Sequence, residues 1–532
     1  MSATDVTRPG ALNPKNQNKP LVLDPKDPLT IAEKFVAARY EHDHCTTLWH
    51  RGGDFFKWNG SCYEVAEHDA IRSEVYGFLA SAYREQRSSD VTQLVRIQPD
   101  DRAVNRVLDA MKAVIHLDAT VASGTWLDNH KTRPPADELV ACGNGLLHLL
   151  TMSLLRPTPR FFNTTALPVE FDLTASKPDR LLQFLQELWG SDAESIETLQ
   201  EWFGYCLTTD TRLQKLLLIV GPKRSGKGTI GRVLRGLLGA ANVAGPTLAS
   251  LRTNFGLSAL LDKTVGIISD ARLPKRSDGA VIVERLLSMT GEDPITLDRK
   301  YRSHITVKLP TRIIILTNEL PHLSDASGAL VGRYIVLRLT ESFFGHEDSA
   351  LTDKLLRELP GILSWAIEGW KRLRERGHFI QPKSASEVHR DLEDLSSPIA
   401  AFITERCDVG PQHRVETRAL YRGWHYWCEQ QGYETGTRAI FGRDLRTVVP
   451  GLGKTRPRNG SDDRSYVYTG IGLKPRETGL GWSKDGLIVG TQEESSVGKE
   501  ESAGRRTTLD QGERHGVGHD GIGDASPRAG GR

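Results

Sequence analysis

The stretch Gly221–Thr229, GPKRSGKGT, follows the apolar run Leu216–Val220 and opens a helical pattern over Ile230–Leu238. A strand that ends in a glycine-rich turn and restarts as a helix leaves backbone N–H groups pointing into a concavity. The helix N-terminus adds partial positive charge, so the place suits polyphosphate. Gly221 and Gly226 allow close backbone approach, Lys227 can reach β- and γ-phosphates, and Thr229 offers a hydroxyl that can help hold Mg²⁺. The usual pattern has Ser or Thr directly after the lysine, whereas here Gly228 intervenes. The whole loop is expected to cradle a nucleoside triphosphate: Gly221, Pro222, Lys223, Arg224, Ser225, Gly226, Lys227, Gly228 and Thr229. An ordinary glycine turn would leave the strand before it and the helix after it unexplained.

Bulk properties limit the remaining classes. A chain of 532 residues suggests three or four domains. No apolar stretch is long enough to span a bilayer, and residues 1–20 lack an apolar signal core, so no membrane partner and a cytoplasmic setting (bacterial cytosol or nucleoid) are expected. The six cysteines are scattered without CxxC spacing, which fits a reducing compartment and offers no zinc ribbon. His42, His44, Cys45 and His50 cluster loosely and read better as surface polar residues than as metal ligands. The net charge of +2 says nothing about nucleic acid, so any basic footprint has to be local.

Along the chain, residues 1–28 read as a flexible polar arm and 29–207 as a mainly helical region. Within that region, hairpin turns are expected at Gly52-Gly53, Asn59-Gly60 and Asn144-Gly145. Residues 208–385 alternate apolar strands with helices, the pattern of an α/β nucleotide-binding core. A compact unit follows over 395–473, and 474–532 is rich in Gly, Ser, Glu and Arg and expected to be disordered.

Two further strand ends carry candidate chemistry. Asp270 closes the run Val265–Ile268, where a carboxylate can hold Mg²⁺ or orient an attacking water; a lone Asp there can also simply cap a helix. Asn318 follows the run Ile313–Leu316, where an amide beside a γ-phosphate can position water; it can equally be a turn residue before Pro321. Arg333 precedes the strand Tyr334–Leu337 and reads either as an arginine finger for a neighbouring subunit or as a solvated surface residue.

The order GPKRSGKGT, IISDAR, GEDPITLDRKY, IIILTN and GRYIVLRL resembles the superfamily 3 helicases. More closely, it is similar to the C-terminal half of phage and plasmid primase–helicases, relatives of the poxvirus primase–helicase. Roughly ninety residues separate Lys227 from Asn318, a compactness typical of that group, and NGLLHL and LQEWFGYCL match its helicase-associated region. The likeness covers roughly residues 30–470. It implies a multidomain α/β fold with an AAA+-like P-loop NTPase core, a helical N-terminal domain and a C-terminal winged helix. It also implies that Lys227 and Thr229 bind ATP–Mg²⁺, with Asp270 as acidic motif, Asn318 as sensor and Arg333 as finger in trans. Lys300, with Arg299, would lie on a hairpin gripping single-stranded DNA in the channel of a homo-oligomeric, six-membered ring.

The residues lend separate support to DNA contact. LDRKYRSHITVK sets Arg299, Lys300, Arg302 and Lys308 around Tyr301, cations for a phosphate backbone and a ring for stacking, although a solvated charged face has the same composition. In 395–473, helical segments Pro398–Arg406, Thr417–Gln430 and Thr437–Thr447 precede a hairpin-like KTRPRNGSDDRSYVYTG. Three helices and a wing suit a winged-helix module, with Arg438, Arg443 and Arg446 for phosphate contact; a helical domain that only touches other subunits is the alternative.

The expected activity is an ATP-dependent DNA helicase acting on single-stranded and origin DNA in the replication of a phage, plasmid or integrated element. Priming is expected to reside on a separate primase or polymerase, because the 28 polar residues before the helical region are too few for a polymerase fold. The GKGT variant also suits a nucleotide kinase, and a DNA-binding adaptor without turnover is a third class. DNA-stimulated ATP turnover separates the three.

Overall fold

A computed structural model describes residues 20–88, 91–128, 130–271, 279–300, 302–321, 323, 325, 328–433, 435–456 and 466–474. At its centre is a five-stranded parallel sheet. Its strands are β1 (Leu216–Val220), β2 (Val243–Ala244), β3 (Val265–Ile268), β4 (Arg312–Thr317) and β5 (Tyr334–Arg338). The spatial order is β2-β3-β4-β1-β5. β1 is paired on both sides, with Leu217 opposite Ile314 and Ile335. It is buried along its whole length, as a parallel strand covered on both faces must be, which is why it reads as an unbroken apolar run.

Alternate residues of β1 serve two cores. Leu217 and Ile219 face Phe184, Val233 and Ile362, while Leu216 and Leu218 face Ile282, Leu286 and Leu297. The first core includes helices Asp179–Trp189, Ala193–Tyr205 and Leu359–Arg376 and the helix after β1, α1 (Lys227–Leu238). The last two of these three helices cross closely. A Cβ on Gly204 would come within 2.4 Å of the Ala366 carbonyl oxygen, and one on Gly369 within 2.4 Å of that of Gln200. The core therefore does not stop at residue 208, where the sequence places a boundary: the helices before that point close one face of the sheet. The described residues form one compact unit.

The N-terminal region differs from the mainly helical expectation. Helices Pro28–Arg39, His68–Ala80 and Asp101–Val114 pack beside a four-stranded sheet built from Tyr63–Ala66, Asp54–Trp58, Leu48–Arg51 and His116–Leu117. Its strands are short and broken by turn residues, so they leave little period-two signal. The expected turn at Gly52-Gly53 joins Arg51 to its partner Asp54. The expected flexible arm ends earlier than residue 28. Val22 bridges Tyr83, and Leu23, only 2% exposed, packs with Phe35 and Val75. Leu21 and Leu23 anchor the end of an otherwise polar segment.

The C-terminal unit runs helix Pro398–Arg406, strand Cys407–Glu416, helices Thr417–Gln431 and Arg438–Val448, then strands Gly453–Thr455 and Val467–Leu473. Phe402, Leu420, Trp424, Trp427, Phe441 and Leu445 form its core. The strand Cys407–Glu416 was not anticipated, since its Gly410-Pro411 pair reads as a break; it is accommodated by a register shift between Val409 and Arg414. Most of the expected wing, residues 457–465, and the tail beyond Lys474 lie outside the described residues.

Candidate functional site

In a parallel sheet the loops after the strands gather at one edge, and ligands bind there. β1 delivers Gly221 to that edge, β4 delivers Asn318 and β3 delivers Asp270. The glycine loop is fixed from both neighbours: Gly221 N–H donates to the Thr317 carbonyl at 3.3 Å, and Leu339 N–H to the Val220 carbonyl at 2.8 Å. Gly226 has φ 84°, a left-handed turn that starts α1. A Cβ there would sit 2.9 Å from Leu188 Cδ2 and 3.0 Å from Phe184 Cζ, so both conformation and space call for glycine.

Lys227, the first residue of α1, folds back on the loop. Its Nζ donates to the carbonyls of Gly221 (2.8 Å) and Pro222 (2.6 Å) and to Ser225 Oγ (2.9 Å). Burial holds its ammonium below the usual lysine range. A segment after β5 straps the loop from outside: Ser342 Oγ donates to the Lys223 carbonyl at 2.9 Å, Phe343 N–H to the Arg224 carbonyl at 3.0 Å, and Arg224 pairs with Glu347 at 3.3 Å.

Loop, strap and helix Asp179–Trp189 enclose a cleft of about 790 Å³. Lys223 through Thr229 line it together with Asn318, Arg180 and Arg232. The lining bears on both a polyphosphate and Mg²⁺. For a polyphosphate, the residues present are the loop from Lys223 to Thr229 with Lys227 and Arg232 as cations, a donor set that suits an anion. Mg²⁺ has a candidate hydroxyl in Thr229, which lines the cleft, whereas Asp270 is exposed at the same sheet edge and is not among the described residues lining it.

Arg333 stands elsewhere. It precedes β5, at the opposite end of that five-residue strand from the glycine-loop edge. Its Nη1 donates to the Leu287 carbonyl (2.5 Å) and to Thr290 Oγ1 (2.6 Å), at the C-terminus of helix Ala280–Thr290. A cation is favourable there, since unsatisfied carbonyls carry partial negative charge.

The basic segment does form a hairpin, Ile295–Arg299 against Arg302–Val307, with Lys300 exposed at its turn; Tyr301 lies outside the described residues. Two of the cations are already paired with carboxylates, however. Arg299 is 10% exposed, pairing with Asp54 at 3.3 Å and donating to the Gly52 carbonyl at 2.7 Å. Lys308 pairs with Glu292 at 2.7 Å. As a DNA contact, Arg299 is therefore corrected to an internal tie, because its charge is met by a carboxylate of the N-terminal sheet. In the C-terminal unit Arg438, Arg443 and Arg446 are all exposed on the helix Arg438–Val448, and Arg443 donates to Asp444 at 2.8 Å.

Two family models match this chain. Residues 33–190 match "D5 N terminal like", and residues 219–333 match a "Family of unknown function (DUF5906)", a span that runs from β1 through the glycine loop and hairpin to Arg333. Among solved structures, the A form apo structure of the NrS-1 C terminal region is similar at 12% identity, covering 84% of this chain and all of that one, with a TM-score of 0.45. The apo structure of the same region (305–718) is similar at 13% identity with a TM-score of 0.43 over the same shares. Among the described residues no helix is long and apolar enough to cross a membrane.

Sequence reasoning missed Arg232 and the strap. Arg232 lies four residues beyond Gly228 on a helix that was foreseen, so its place over the loop follows from helix geometry. The strap carries no motif; it is visible only once β5 is seen beside β1.

Proposed function

We propose that this chain is an ATP-driven DNA translocase and helicase of the superfamily 3 type, acting in the replication of a phage, plasmid or integrated element. One observation carries the reading: a glycine loop whose lysine lines the cleft stands beside a strand-tip amide, Asn318, at the ligand-binding edge of a parallel sheet. The match of residues 33–190 to "D5 N terminal like" supports a role of this kind.

In this reading the backbone of residues 221–229 and Lys227 bind the polyphosphate, and Asn318 orients the attacking water. Thr229 would hold Mg²⁺, with Asp270 reaching it directly or through water; when bound, the ion neutralises charge developing on the transferred phosphoryl group. The strap Ser342–Glu347 keeps the loop in place and limits water entry at its outer side. Arg333 cannot serve its own cleft, since β5 spans about 16 Å at 3.3 Å per residue. A finger role therefore requires a second subunit, and a six-membered ring is part of the proposal. Lys300 at the hairpin tip and the C-terminal helix Arg438–Val448 with its sheet, read as a winged helix, are the proposed DNA contacts.

The deciding experiment is ATP turnover by the purified chain with and without single-stranded DNA. Stimulation by DNA supports the motor. Phosphate transfer to a nucleoside monophosphate would favour a kinase, and nucleotide binding without turnover a replication adaptor.

A further inference from the structure

Glycine loops of this type ordinarily carry a hydroxyl residue directly after the lysine. Here that residue is Gly228, and something else occupies its place. A Cβ built on Gly228 would lie 3.2 Å from Nη1 of Arg232. Helix side chains lean toward the N-terminus, so a residue four positions on covers the one before it. Arg232 accordingly reaches back along α1 until its guanidinium stands over Gly228 and Thr229.

Its partners are unusual for an arginine. Nη2 donates to Thr229 Oγ1 at 3.0 Å, and Nε to Thr352 Oγ1 at 3.1 Å, on the helix Leu351–Leu356. Both acceptors are neutral, and among the described residues no carboxylate pairs with Arg232. The other two arginines lining the cleft are neutralised: Arg180 pairs with Glu187 at 3.2 Å, Arg224 with Glu347 at 3.3 Å. Arg232 is thus held by hydroxyls at Nε and Nη2, in the same cleft as Lys227, with no carboxylate partner among the described residues.

We propose that Arg232 is a second phosphate-binding cation of this site, filling the position that Gly228 leaves open and gripping the polyphosphate together with Lys227. This rests on the triphosphate reading of the cleft. A planar guanidinium can give two parallel hydrogen bonds to phosphate oxygens, and two threonine hydroxyls pre-set its orientation. With a permanent cation beside the phosphates, affinity depends less on Mg²⁺ than where a hydroxyl after the lysine holds the ion. Gly228 and Arg232 then act as a matched pair, because a side chain at 228 would crowd the guanidinium.

The test is titration of the full-length chain with a fluorescent ATP analogue, in Mg²⁺ and again in EDTA, for wild type, Arg232→Ala and Arg232→Lys. Arg232→Ala should weaken binding about tenfold or more, the scale of one charge-assisted hydrogen bond. The loss should be larger in EDTA than in Mg²⁺, and Arg232→Lys, which keeps the charge and loses the fork, should fall between. A variant that binds as wild type does in EDTA overturns the proposal. So does an equal loss in both buffers, which is what simple loosening of the cleft would give. Wild-type protein that binds no nucleotide in either buffer would instead remove the triphosphate reading itself.

Discussion

Arg299 and Asp54 lie 245 residues apart in the chain and meet at 3.3 Å, with side chains 10% and 15% exposed. The contact joins the tip end of the basic hairpin, beside Lys300, to the turn of the N-terminal sheet. The same turn reaches the core a second time, where Arg51 pairs with Asp262 at 3.6 Å while lying against the rings of Phe56 and Phe162. Ion pairs this deep add little net stability, since desolvation offsets their attraction, but losing one partner leaves a charge stranded. Their effect here is to set where the hairpin stands.

Asp54→Ala should therefore destabilise the chain by about 2–3 kcal/mol, somewhat under the cost for a fully buried pair. Amide exchange in Ile295–Val307 should quicken at the same time. The exchanged pair Asp54→Arg with Arg299→Asp should recover part of both effects. Thermal denaturation and hydrogen exchange measure them; a double variant no better than either single one would remove the pair as the tie.

Acid should act at Glu292. It has φ 66°, accepts from Thr211 Oγ1, and pairs with Lys308. Burial alone would push its carboxyl up, but the hydrogen bonds from Lys308 and Thr211 outweigh that and hold it below its ordinary 4.5. A carboxylate lowered in the folded state contributes stability above its unfolded value and loses it as pH falls through the folded one. The melting temperature should thus drop below about pH 4.5, and Glu292→Gln should flatten that part of the profile while lowering stability at neutral pH. An unchanged acid limb in the variant would assign the sensitivity to other carboxylates.

What could be read from the sequence was what local physics dictates. β1 and its loop were legible because an unbroken apolar run, a glycine turn and a helical period are written in consecutive residues. The three helices of the C-terminal unit were legible for the same reason, through the spacing of Leu420, Trp424 and Trp427. Arg299 was not, since a basic composition announces charge and is silent about a carboxylate from a distant strand. Leu23 lies in the apolar triplet Leu21–Leu23, too short to show a period, and the packing across residue 208 was not legible because a sheet's covering helices can precede it in the chain. Arg232 lay between these cases: its reach over Gly228 follows from helix direction, but its neutral partner Thr352 does not.

Lys227→Ala should abolish ATP turnover and weaken nucleotide binding. The loop should persist, because Gly221 remains bonded to Thr317 and the strap to Lys223 and Arg224. A melting temperature close to wild type, beside lost turnover in a phosphate-release assay, is the expected pair of results. Full turnover in the variant would refute the assignment of this cleft.

Arg333→Ala separates two roles. As a finger it should leave nucleotide binding intact, stop hydrolysis, and regain turnover when mixed with Lys227→Ala subunits, since each then supplies what the other lacks. As a cap of the helix Ala280–Thr290 it should lower stability by about 1 kcal/mol through the lost bonds to Leu287 and Thr290. Mixing experiments read the first effect and denaturation the second. Lower stability without rescue would confine Arg333 to its own chain.

The exposed helix Arg438–Val448 offers the last test. Phe441, Gly442 and Leu445 turn to the core, leaving Arg443 and Arg446 on the outer face one turn apart. Residues at that spacing can meet successive phosphates, and each neutralised phosphate releases counterions, so binding falls steeply with salt. Arg443→Ala with Arg446→Ala should weaken DNA binding similarly for all sequences and reduce the salt slope by about two, one per lost contact. Stability should barely change, because both side chains are exposed and, among the described residues, the ion pair lost is that of Arg443 with its neighbour Asp444. Fluorescence anisotropy across a salt series measures this. An unaltered slope would mean that this helix faces protein, and the C-terminal unit would then be a subunit contact.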